Sequence, residues 1–111
     1  MIDARRMEVF TALYNLDLAE IVSPCALVLE PGFFSEWLLE HHVFFFGNGS
    51  SKCKSLVAHN GEVLDDFFYA PEHVTLLAQN RYRERAFTDI ALSEPAYLKD
   101  FYTHHKKLAD T

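Results

Sequence analysis

Residues 43–46 read Val-Phe-Phe-Phe, stop at Gly47-Asn48-Gly49, and lead into Ser50 and Ser51. A short, wholly apolar run closed by glycine predicts a buried central strand, because both faces must be covered. The glycines permit a tight turn and close backbone approach. Either serine is placed to cap a following helix by accepting a backbone N–H, and that helix is expected to run to about His59. Strand, glycine turn and helix in this order predict an α/β layer architecture with a parallel neighbour for the strand. Phosphate-binding loops are written the same way, so the unit raises the question of a nucleotide.

The spacing argues against a standard loop. G-x-x-x-x-G-K-[ST] needs four residues between its glycines to wrap the phosphates; here one residue intervenes, and Lys52 does not fit. G-x-G-x-x-G fails as well, because position 52 is lysine. Gly47, Asn48 and Gly49 remain cofactor-binding candidates only through the general affinity of a helix start for an anion. The competing reading is a plain strand-to-helix connection.

The rest of the chain supplies a sheet and helices around this unit. Residues 1–14 alternate as strand, with Arg6-Met7 as a tight reversal between two strands. Asn15-Leu16-Asp17 is a second turn, since Asn and Asp satisfy turn backbone locally. Residues 18–22 form the third strand of a meander, which Pro24 is expected to end. Phe33, Phe34, Trp37, Leu38 and His41 share one helical face after Pro31-Gly32. Asn60-Gly61 signals a turn and Val63-Leu64 a short strand. Pro71 suits the first position of a helix whose stripe is Val74, Leu77, Ala78, Tyr82 and Ala86. Residues 89–92 are expected as a last strand, and Pro95 begins an irregular tail. The fold expectation is a mixed sheet of about five strands with helices packed on it, in one domain over residues 1–111.

Composition narrows the function classes. Half of the 111 residues are hydrophobic and 14% aromatic, enough for a packed core. The formal net charge of −6 lacks the basic footprint of nucleic-acid binding, so no direct nucleic-acid contact is expected. Lys99, Lys106 and Lys107 with His104 and His105 read as a solvated basic tail. No apolar run approaches the roughly 20 residues of a membrane span, and the opening has no signal-like apolar stretch. A cytoplasmic location with no membrane partner is the expectation.

The remaining chemical candidates each have a plain structural reading. Adjacent histidines, His41-His42 and His104-His105, diverge on a helix and cannot share a metal as an i, i+4 pair would. Asp65-Asp66 reads as an acidic turn before it reads as a magnesium site. Cys25 and Cys53 match no zinc or redox spacing, and reduced thiols are expected. Cys53 follows the glycine turn, where a helix start would lower its pKa, but no base is placed beside it. Asp3 and Arg5 share a strand face, and Glu8 is expected across the turn from Arg5 as a register-fixing ion pair. Phe67-Phe68-Tyr69 is hard to bury entirely and reads as a partner surface.

Three stretches in order resemble one family. Asp3-Ala4-Arg5, a two-residue turn and Glu8-Val9-Phe10 are similar to the opening of the second lobe of the TsaB (YeaZ) family, bacterial proteins required to make threonylcarbamoyladenosine on tRNA. Phe45-Phe46-Gly47-Asn48-Gly49 resembles its strand and glycine turn. Pro95, Tyr97 and Leu98, with Lys99, resemble its C-terminal Pro-x-Tyr-Leu-Arg/Lys signature. Together they span nearly the whole chain. The resemblance implies a ribonuclease-H-like lobe of the actin-like ATPase superfamily, corresponding to a C-terminal lobe without the family's N-terminal one. It implies an inactive paralogue with no catalytic residue, no metal and no cofactor of its own, ATP or ADP entering only in the full complex. It implies a scaffold for a TsaD-like catalytic subunit and a TsaE-like ATPase, reached through the full-length protein, with a homodimer as a further expectation. Asp3, Arg5, Glu8, Pro95, Tyr97 and Leu98 would be structural motif positions. The alternative is a nucleotide-binding or hydrolytic lobe built on Gly47-Asn48-Gly49.

Overall fold

The computed structural model describes residues 1–57 and 59–99. Its elements are β1 (Ile2–Asp3), β2 (Glu8–Tyr14), β3 (Glu20–Val28), α1 (Ser35–Glu40), β4 (Val43–Phe45), a 3-10 turn at Ser50–Cys53, β5 (Gly61–Val63) and α2 (Pro71–Arg83). The chain is a small mixed α/β domain. The described residues form five strands, but in two sheets: an antiparallel β1-β2-β3 meander and a parallel β4-β5 pair.

The first hairpin closes through Arg5 and Arg6, both in the left-handed region at φ 80° and 48°. Ala4 N–H donates to the Glu8 carbonyl and Glu8 N–H to that of Arg5. The reversal thus begins one residue before the expected Arg6-Met7. Asn15 makes the second turn as expected: its Oδ1 accepts from the Asp17 and Ala19 amides.

β3 does not stop at Pro24. It runs nine residues, and Pro24 sits where the β2–β3 register slips between the Thr11–Cys25 and Leu13–Val22 pairs. A bulge on an edge strand is where a residue without an N–H does least damage.

The core is Val9, Leu29, Leu38, Val43, Phe45 and Cys53, with Phe33, Phe34 and Trp37 packed against it. Rings of Phe33 and Phe34 lie 5.7 and 6.2 Å from that of Phe45. The expected helical face is therefore largely right, although α1 is only six residues long and His41 is exposed at its end.

β4 pairs in parallel with β5, as the apolar run predicts. It is not buried on both faces, however: Phe44 is 48% exposed between buried Val43 and Phe45. Asn60-Gly61 is a strand start rather than a free turn. Val43 N–H donates to the Asn60 carbonyl, and the Asn60 amide donates to that of Leu38. The expected helix to His59 is a single 3-10 turn, and Ser50 Oγ donates to the Gly47 carbonyl instead of capping an amide.

α2 begins at Pro71 as predicted. Glu72 in its first turn and Arg81 and Arg83 in its last complement the helix dipole. None of its residues is buried; Val74, Leu77 and Tyr82 are 50%, 53% and 72% exposed. Residues 89–92 form a turn, not a strand: Asp89 accepts from the Ala91 amide through Oδ1 and from the Leu92 amide through its carbonyl. Asp89 satisfies the local amides itself, as Asp does in turns. No helix among the described residues is long and apolar enough to cross a membrane.

Candidate functional site: the glycine turn and the first hairpin

The glycine turn after β4 receives the start of the chain. The Met1 amine donates to the Phe46 carbonyl at 2.6 Å, and Gly49 N–H donates to the Met1 carbonyl at 3.3 Å. Asn48 Oδ1 accepts from the Asp3 amide at 2.8 Å. Both glycines are required by this approach. Gly47 has φ +104°, and a Cβ there would overlap the Met1 carbonyl oxygen. A Cβ on Gly49 would stand 2.9 Å from the Asp3 nitrogen and 3.0 Å from Val9 Cγ1.

Lys52 locks the contact. Its ammonium pairs with the Asp3 carboxylate and donates to the Glu8 carbonyl at 3.1 Å. The Lys52 hydrogen bond, helped by the Arg5 amide, holds the Asp3 carboxyl below its ordinary range. Glu8 in turn takes Lys99 at 2.6 Å. The expected Arg5–Glu8 pair is absent among the described residues. Arg5 lies in the left-handed turn and is exposed, while two lysines distant in sequence take Asp3 and Glu8. Lys52, rejected as a phosphate lysine, and Lys99 are the residues that sequence reasoning missed. Pairings across 49 and 91 positions leave no periodic signal to read.

The family-motif positions thus split. Asp3, Glu8, Gly47, Asn48 and Gly49 come together around β1, with Lys99 reaching Glu8. Tyr97 is exposed and Leu98 is 39% exposed, so neither belongs to the core.

The other candidates fall elsewhere. His42 pairs with Glu62 at 3.2 Å on the surface, and Asp65 with Lys54 at 2.6 Å. No group of three or more potential metal ligands occurs among the described residues. Both cysteines are free thiols. Burial pushes the Cys53 thiol up, the opposite of activation, with the Met1 ammonium opposing in part. Its Sγ lies 3.4 Å from Met1 Sδ. His104, His105, Lys106 and Lys107 lie outside the described residues. Phe67, Phe68 and Tyr69 are exposed as expected, Phe67 stacking on His73 and meeting Phe46 edge-on.

Comparisons of this chain with family models, curated proteins and solved structures found no match.

Proposed function

We propose that this chain acts as a scaffold rather than an enzyme, as the C-terminal, ribonuclease-H-like lobe of a TsaB-like accessory protein in tRNA threonylcarbamoyladenosine synthesis. The observation that carries the non-catalytic reading is the filling of the glycine turn. The main chain of residues 1–3 occupies the space that Gly47 and Gly49 keep clear, and Asn48 is engaged by Asp3. The short turn makes room for a strand, where a longer loop would make room for phosphate. The family reading draws support from the Lys99–Glu8 pair, which joins the C-terminal Pro-x-Tyr-Leu-Lys stretch to the Asp-Ala-Arg hairpin. Exposed apolar side chains on α2 and at residues 67–69 fit a lobe that works against partners: a first lobe and, through it, a TsaD-like catalytic subunit with its TsaE-like ATPase in the cytoplasm.

Two measurements test the reading. A thermal-shift titration with ATP or ADP and magnesium is expected to stay flat at millimolar nucleotide. A bound nucleotide at a hundredfold excess over its Kd would instead add about 2.7 kcal/mol, and a saturable shift would restore the nucleotide-binding alternative. The chain, mixed with the first lobe of a TsaB protein and a TsaD subunit, is expected to be retained in one complex. Its exclusion from that complex would refute the scaffold assignment.

A further inference from the structure

α1 and α2 each leave one face uncovered, and the two faces carry opposite charge. No residue of α2 is buried. An open groove of about 530 Å³ runs along it, walled by the rows Val74-Ala78-Tyr82 and Thr75-Gln79-Arg83. Each row steps by four residues, the spacing of one ridge on a helix surface. Ala78 is the smallest side chain in the rows and leaves a dip between Val74 and Tyr82. Arg83 lines the groove, and Arg81, three residues on from Ala78, borders it. A helix of 13 residues is marginal by itself in water and draws most of its stability from packing an apolar face. Covering this groove would stabilise α2.

α1 offers the matching surface. Trp37 and Leu38 turn to the core, which leaves Glu36, Leu39 and Glu40 exposed. Leu39 is 80% exposed. Glu36 and Glu40 lie one helical turn apart beside it. Neither glutamate is in an ion pair among the described residues, and neither is Arg81 or Arg83. A protruding leucine with two unpaired carboxylates complements an apolar dip with two unpaired guanidinium groups.

β4 keeps these surfaces apart within one chain. α1 packs on the Val43 and Phe45 side of β4, with Leu38 in the same core cluster. α2 is tied to the opposite side. His73 stacks on Phe67, whose ring lies 5.0 Å from that of Phe46. Strand alternation places exposed Phe46 with Phe44, away from buried Phe45.

We infer that α2 of one copy of this chain docks on α1 of a second copy, with Leu39 seated over Ala78 and the Glu36 and Glu40 carboxylates paired with Arg81 and Arg83. The inference goes beyond the scaffold reading and does not rest on it. The two surfaces differ, so the contact is heterologous and joins copies head to tail. α1 is only six residues long, so the buried area falls below the roughly 1,200 Å² of a stable interface, and association shows at high concentration. The net charge of −6 sets copies apart at long range, but ~0.15 M salt screens that repulsion beyond about 8 Å and weakens close pairs less.

Sedimentation equilibrium in ~0.15 M salt, at up to millimolar protein, is the test. The weight-average mass is expected to rise with concentration above that of the single chain. One variant carries Glu36→Arg and Glu40→Arg, the other Arg81→Glu and Arg83→Glu. Each alone should associate about tenfold more weakly, because two attractive pairs become repulsive. Mixed in equal amounts they should associate again, since α2 of the first and α1 of the second are both unaltered. Leu39→Ser should weaken the parent contact with no change of charge. A single-chain mass at millimolar protein, association that survives in either variant alone, or a mixture that stays monomeric while circular dichroism shows both variants folded would each overturn the proposal. All of the substituted positions are exposed, so the variants keep the core intact.

Discussion

Gly47→Ala tests whether the glycine turn exists to seat β1. The new Cβ would overlap the Met1 carbonyl oxygen, so residues 1–3 must move. The backbone at φ +104° also disfavours any L side chain, at about 1–3 kcal/mol. Displacing Met1 breaks its bond to the Phe46 carbonyl and the Gly49 bond to its own carbonyl, at roughly 0.5–1.5 kcal/mol each. Against this, alanine restricts the unfolded chain and returns roughly 0.4–1 kcal/mol. The net expectation is a loss of about 2–4 kcal/mol, a large part of the roughly 5–15 kcal/mol typical of a domain. Urea unfolding followed by circular dichroism reads it as a lowered midpoint at unchanged slope. A loop kept for phosphate would lose only the backbone-strain part of this without nucleotide, and none of the bonds to Met1. A loss under about 1 kcal/mol, smaller than the strain alone, would refute the idea that the turn is built around β1.

Gly61→Ala is expected to destabilise by about 1–3 kcal/mol through overpacking, since its Cβ would overlap Val57 Cγ1 and stand 3.1 Å from the Phe45 ring. An unchanged or raised Tm would show that this junction has spare room. Acid titration tests the Asp3–Lys52 pair. The folded carboxyl titrates below the ordinary value of 3.8, so its contribution is complete above that value and disappears as pH falls through the folded pKa. Lys52→Met should therefore lose less stability than the parent chain between pH 5 and the acid limit. Parallel acid curves for the two proteins would remove Lys52 as the cause.

Local chemistry was legible in the amino-acid sequence. Apolar residues 43–46 specified a strand with a parallel neighbour, because a short apolar run closed by glycine has few other solutions. Asn15 built its turn from its own side chain, and Pro71 opened α2 where its missing N–H has no cost. Each signal lies within a few residues of its effect. Tertiary structure decided the rest. Pro24 looked like the end of a strand, yet β3 passes through it, since the bulge depends on how β2 and β3 pair. Asp3 and Glu8 took Lys52 and Lys99 instead of Arg5, because the left-handed turn leaves Arg5 exposed while folding brings distant lysines close. Most of all, only the assembled fold shows why residues 47 and 49 are glycine. A glycine's reason is the atom that would meet its Cβ, and here that atom is main chain more than forty positions away in sequence.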